Sequence, residues 1–356
     1  MKKFEAKVVG VVSRSFARWL AVATALLLAI YLPYSGVGPY FLHIAVLSLL
    51  NALLALGLNL IAGYAGQLSL AQAAFFGLGS YVAALLMLNF KISFWLAAPA
   101  GAIFAGGIAV LFGLPTLRLK GPYFVISTLG FGEIIQQILL NWESVTRGPS
   151  GLIGIPAPNP INLGFTILTF DTKTGAYYLA LAVLAAVLIV YYNLVNSRVG
   201  RALRAIRNDQ VAAEVMGINL AFYKVFAFGF AAVLSGLAGA LYAGYMRFIS
   251  PDTFSVGEAV NILIMMVLGG MGTIVGPIVG AIGITYLLET MRVFADYRMI
   301  VYGLLMFFII LYMPKGLTGA AAAIGERAAA LWTARQGPLA ARTGTERPSG
   351  AADGEA

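Results

Sequence analysis

Apolar runs of about twenty residues recur along the whole chain, each long enough to cross a hydrocarbon core of about 30 Å as a helix. That repetition constrains the fold more than any motif. Runs of that length and apolarity are read as membrane-spanning helices. The charges agree: the 356 residues are 60% hydrophobic and only 10% charged, with a mean hydropathy of +0.89. A soluble domain is about 25% charged. The fold class is therefore an all-α polytopic membrane protein. Its 41 glycines suit that class, because small residues let membrane helices approach closely.

The runs place about ten spans, at roughly 16–34, 40–61, 68–88, 93–115, 122–141, 176–196, 224–246, 258–270, 275–291 and 298–313. The stretch "VLGGMGTIVGPIVG" leaves the eighth and ninth open between a tight hairpin inside the membrane and one broken helix. The first run, "WLAVATALLLAIYLPY", follows a basic segment as a signal peptide would, but no small-x-small cleavage site comes after it. It is expected to stay as a retained span.

Basic residues set the orientation. With both termini in the cytoplasm, the inner segments hold Lys2, Lys3, Lys7, Arg14, Arg18, Arg118, Lys120, Arg198, Arg201, Arg204, Arg207, Lys224, Lys315, Arg327, Arg335, Arg342 and Arg347. The outer ones hold only Lys91, Arg147, Lys173, Arg247, Arg292 and Arg298. The excess of inner positive charge favours this arrangement. It makes 1–15 a cytoplasmic N-terminus, 16–317 the membrane domain, and 197–223 a cytoplasmic loop. It makes 141–175 an outer loop, whose Pro, Gly and Asn residues fit turns better than a span. The Ala/Arg-rich tail, 318–356, is expected to be largely disordered, with Ile324, Leu331 and Trp332 able to lay a short helix on the membrane surface.

Two cytoplasmic turns carry Gly-x-x-Gly, Gly63/Gly66 and Gly269/Gly272, each with a further glycine eleven residues on at Gly77 and Gly283. Chance in a glycine-rich chain and a duplicated transporter half both account for this.

Most catalytic chemistry is excluded. There is no cysteine and one histidine, His43, so thiolate or multi-His metal sites and His-paired hydrolysis are not available. His43 reads best as a hydrogen-bonded packing residue. No G-x-x-x-x-G-K-[ST] occurs, so no P-loop cradles a nucleotide. No metal, cofactor, catalytic residue or nucleic-acid partner is expected. Glu133, in "TLGFGEIIQQILLNW", is the one clear intramembrane acid, with Gln136 and Gln137 at i+3 and i+4 on the same face. Such a group faces a bundle interior or wet cavity. A pore-lining stripe and interhelical hydrogen bonding both explain it. Gln67, Ser69 and Gln72 are candidates for the same polar network.

The loop "RVGRALRAIRNDQVAAEVMGI" gathers four arginines with an aspartate and a glutamate. Asn208 or Asp209 is a suitable N-cap and Gly217 a suitable C′ residue, enclosing about two turns of helix. A helix so short is not stable alone. Val211 and Val215 share one face, with Ala212 and Ala213 thin beside them, the shape of a plug for a partner's groove. The preceding arginines suit an acidic rim or anionic lipid headgroups. The alternative is a positively charged anchor with an incidental helix.

Several stretches in this order, "LNLIAGYAGQLSLAQAAFFGLGSYVAAL", "LRLKGPYFVISTLGFGEI", "SRVGRALRAIRNDQVAAEVMGIN", "RFISPDTF" and "VLGGMGTIVGPIVGA", resemble the bacterial branched-chain amino acid ABC transporter permeases, and within them the longer, LivM-type subunit. The resemblance covers roughly 44–317. It implies an ABC importer permease fold in the inner membrane, with a second permease, two ATP-binding subunits, a periplasmic substrate-binding protein and membrane lipids as partners. ATP hydrolysis would then belong to the partner subunits. It also implies that Asp209–Gly217 is the coupling helix that docks on an ATPase, with Arg201, Arg204, Asp209, Ala212, Ala213, Glu214 and Gly217 as its coupling residues. The chain departs from the family at Ala71-Gln72 and at Thr146-Arg147-Gly148-Pro149. The second departure puts a charge where a binding protein would sit, so urea, short amides and aromatic acids stand beside branched-chain amino acids as substrates. A self-sufficient, ion-coupled secondary transporter is the competing class. It would need several midplane ionisable groups, and the docking loop would have no purpose in it.

Overall fold

The protein is seen in a computed structural model. It describes residues 38–116, 119, 121–162 and 167–291, together with Thr24, 27–34, Gly36 and positions 303, 304, 307, 316, 317 and 319. Among these, six helices are long and apolar enough to cross a membrane. They are α1 (Pro39–Leu58, running on as a π-helical segment Asn59–Tyr64), α2 (Gln72–Asn89), α3 (Phe94–Thr116), α4 (Pro122–Asn141), α5 (Lys173–Asn196) and, after two intervening helices, α8 (Leu220–Met246). The intervening ones are α6 (Arg198–Asn208) and α7 (Gln210–Val215); α9 (Val256–Gly269) and α10 (Val275–Thr290) complete the set.

The second to ninth expected spans thus correspond to helices, with ends that moved for physical reasons. The third span begins at Gln72, because 67–71 is non-helical backbone. The seventh begins at Leu220, because the Asn219 side chain accepts from Phe222 N at 3.1 Å and caps the helix there. The eighth and ninth are two helices joined by a tight turn, not one broken helix. With 14 and 16 residues, they extend about 21 and 24 Å, short of a full crossing of about 30 Å. Most of the first and tenth spans, and the tail helix expected around Ile324, Leu331 and Trp332, lie outside the described residues.

α8 is the hub, packed along α3, α2 and α1. Its closeness to α2 depends on glycine: a Cβ on Gly79 would run into the backbone of Gly236. The next residue, Ser80, shares its hydroxyl proton between Phe76 O and Gly239 O, each at 2.9 Å. Small residues letting backbones touch, with a hydroxyl stitching across, is the usual way membrane helices associate. α1 is wrapped on all sides, with 83% of its most apolar window buried. α4 is the opposite case. An aromatic cluster of Phe75, Phe112, Phe124, Phe131 and Phe228 holds one side of it against α2, α3 and α8, and only 28% of its window is buried.

The helices have two distinct ends. At one, the end of α1, α6, α7, the start of α8 and the α9–α10 turn meet, with Arg198, Arg201, Arg204, Arg207 and Lys224. At the other, residues 142–162 and 167–170 form turns and two-residue strands, Leu152–Ile153 pairing antiparallel with Phe248–Ile249 and Ile161–Asn162 with Ile167–Leu168. There an exposed ion pair joins Arg247 to Asp171 at 2.8 Å.

Candidate functional site

At the basic end three helices in a row carry side-chain N-caps. Ser197 Oγ accepts from Val199 N at 3.1 Å to open α6, and Asn219 opens α8. Between them Asp209 Oδ1 accepts from Val211 N at 2.8 Å and Ala212 N at 3.1 Å to open α7. α6 is amphipathic, burying Gly200, Ala202, Leu203 and Ile206 beneath its arginines. α7 closes with Gly217 at φ 81°, where Gly217 N donates to Glu214 O at 2.9 Å and Ile218 N to Ala213 O at 3.0 Å. Those two bonds satisfy the carbonyls that a helix end leaves open, in the Schellman pattern. Lys224, buried on α8, donates from Nζ to Gln210 Oε1 at 3.0 Å. A six-residue helix is thereby held at both ends and from below.

The faces of α7 differ from the sequence expectation at one residue. Ala213 is buried in the chain's own packing, so it supports the helix and does not face outward. The open surface consists of Val211, Ala212, Glu214, Val215 and Met216, with Val215 and Met216 more than 80% exposed. Two coupling candidates among the arginines also bond back to their own chain. Arg201 Nη1 donates to Asn196 O at 3.3 Å. Arg204 donates to Gly200 O at 3.2 Å and Val195 O at 2.9 Å. They cap the end of α5, where cations and donors are favourable, while their side chains stay open to the surroundings.

The polar network expected from Gln67, Ser69, Gln72, Glu133, Gln136 and Gln137 divides in two. Gln67, Ser69 and Gln72 are buried inside the chain, in and after the α1–α2 connection. Gln72 Oε1 and Nε2 and Gln67 Oε1 find no hydrogen-bond partner among the described residues. Glu133 and Gln137 lie on the open side of α4 instead, bonded to each other at 3.2 Å, and Asn141 Nδ2 continues the row to Gln137 O at 2.8 Å. Gln136 is half-buried beside them. Glu133 and Gln137 are open because the aromatic cluster covers the other side of α4. His43 accepts or donates at Nδ1 with the Tyr245 hydroxyl, 2.6 Å away, and the two rings stack.

Two residues that sequence reasoning passed over join the elements of this end. Asn59, fully buried in the π segment, donates to Thr273 O at 2.8 Å and Tyr191 Oη at 3.1 Å and accepts from Gly272 N at 2.8 Å. Arg207 of α6 donates to Gly63 O. An amide inside the apolar run "LGLNLIAGY" was the available signal for the first. Among the described residues no cluster of His, Cys, Asp and Glu is arranged to hold a metal.

Residues 40–310 match the family described as branched-chain amino acid transport system / permease component. The high-affinity branched-chain amino acid transport system permease protein LivM of Escherichia coli K12 is 34% identical over 316 residues, which cover 84% of this chain and 74% of that protein. LivM of Salmonella typhimurium is 34% identical over 292 residues, 77% of this chain and 69% of its own. The permease LivH of the same organism is 29% identical over 292 residues, 75% and 91% of the two chains. No solved structure matches the chain.

Proposed function

This chain belongs to the family of branched-chain amino acid transport permease components, and we propose that it is the permease subunit of an ATP-driven importer for branched-chain or related hydrophobic amino acids in the bacterial inner membrane. The observation that carries the reading is α7. It is capped by Asp209, closed by Gly217 and anchored by Lys224, yet it turns Val211, Val215 and Met216 away from its own chain. A short helix held rigid with apolar side chains outward is built to enter a groove, here on an ATP-binding subunit. The chain has no P-loop of its own, so the nucleotide belongs to that subunit.

The basic end with the 197–223 loop is cytoplasmic in this reading, and the 141–175 connection faces the periplasmic binding protein. The second permease packs against the open side of α4. Glu133 and Gln137 would be costly against lipid, and a partner helix or the wet passage between the two permeases accepts them. An ion-coupled transporter without ATPases leaves α7 with nothing to dock on. The test is reconstitution of this chain with the second permease, two ATPases and the binding protein, with labelled leucine, urea and benzoate offered in turn. ATP-dependent leucine uptake supports the reading. Uptake of urea or benzoate alone reassigns the substrate, and uptake without the ATPases removes the importer reading.

A further inference from the structure

Arg207 stands three residues before the first residue of α7, and its guanidinium reaches across 144 residues of sequence to the carbonyl of Gly63. It also lies over the other Gly-x-x-Gly turn, since a Cβ on Gly272 would sit 2.6 Å from Arg207 Nη1. The two turns themselves touch backbone to backbone, for a Cβ on Gly63 would lie 2.6 Å from Gly272 N. Asn59 fastens the pair from inside, through Gly272 N and Thr273 O, and reaches α5 through Tyr191. The similarity of the two turns in sequence thus corresponds to a physical meeting, with one arginine across both.

We propose that Arg207 and Asn59 form a joint through which displacement of α7 moves the two glycine turns together, and with them the end of α1 and the α9–α10 hairpin. This rests on the reading of α7 as the docking helix. A push on α7 has two polar routes into the membrane domain. Lys224 leads to α8, which is locked to α2 by the Gly79–Gly236 contact. Arg207 leads to a π-helical segment, Asn59–Tyr64, whose wider hydrogen-bond spacing has ordinary α-helical pairing as a second arrangement. π segments cluster at functional positions, and coupling between distant sites needs an element with two discrete states. Arg207 is a positioning residue here, one that acts through the backbone it holds.

The test uses the full complex in vesicles, measuring uptake and ATP hydrolysis in one preparation, with subunit co-purification and melting temperature alongside. Arg207→Gln should co-purify the ATPases and melt as wild type, while uptake per ATP falls at least about fivefold, the lower end of typical coupling between sites. Arg207→Lys, which restores one cationic donor, should recover part of that loss. Asn59→Asp keeps the acceptor for Gly272 N but loses donation to Thr273 O, and should uncouple likewise. Wild-type uptake per ATP in Arg207→Gln overturns the joint. So does loss of assembly in both Arg207→Gln and Asn59→Asp, which makes the contacts merely structural. A wild-type chain that never engages ATPases sinks the importer reading itself, and the joint with it, so the two failures are told apart by the wild-type control.

Discussion

Lys224 Nζ and Gln210 Oε1, fourteen residues apart and 3.0 Å from each other, tie the short helix α7 to the membrane helix that follows it. The lysine is buried, so this is a charge-assisted bond shielded from water. Bonds to charged groups are worth about 1.5–3 kcal/mol. Lys224→Met should therefore raise amide hydrogen exchange across Gln210–Gly217 by about ten- to a hundredfold, with little change in α2 or α3. Unchanged exchange in α7 would mean that the Lys224 bond does not hold it.

Ala213 and Val215 separate folding from docking. A Trp at Ala213 overfills a packed position, at about 1–3 kcal/mol or more, and should lower the melting temperature of the isolated chain. Val215 is open among the described residues, so Val215→Asp should leave melting unchanged while ATPase subunits cease to co-purify. Normal co-purification of both Val215→Asp and Met216→Asp would take the partner away from this face.

At Gly217, φ is 81°, where a β-branched residue is strained by about 1–3 kcal/mol. Gly217→Val should fray α7, visible as faster exchange at Val215 and Met216, and Gly217→Asn should do so much less, since asparagine tolerates this conformation. Equal behaviour of the two variants would show that the positive φ is not what ends the helix.

Glu133→Gln keeps the shape and the bond to Gln137 while removing the ionisable carboxyl, so insertion and complex yield should match wild type. Glu133→Leu should reduce either the yield of the two-permease complex or its transport. If the leucine variant assembles and transports normally, the open side of α4 has no polar partner.

The chain has no cysteine, so single cysteines report orientation without background. Ser150 and Asn208 are both exposed, at opposite ends. A cysteine at Ser150 should react with an impermeant maleimide on intact spheroplasts, and one at Asn208 only after permeabilisation. The reverse pattern inverts the topology.

What the sequence made legible was whatever depends on neighbours a few residues apart. Run length located α1 to α5 and α8 to α10, and Asp209 and Gly217 announced the ends of α7 by local backbone chemistry. α6 was not read as a helix: Ala202, Leu203 and Ile206 stand at helical spacing and are buried, but its arginines made the stretch look like a loop. The destination of polar groups was not legible. Gln72 and Glu133 are both polar intrusions in apolar runs; Gln72 is inside because it opens α2 beside Gly57 of α1, and Glu133 is open because the rings of Phe124 and Phe131 hold the other side of α4. Nothing local to Asn59 or Arg207 tells that their partners lie more than a hundred residues away.

The touching backbones of Gly79 and Gly236 have a mechanical consequence. The two helices cannot slide, because a shift of one turn would drive a larger side chain into the gap and tear Ser80 from Gly239 O. In the transport cycle proposed above, α2 and α8 therefore move together, as a keel. The swing falls to helices that meet their neighbours through side chains, as α4 does through its rings, and the second permease proposed on its open side would move with it.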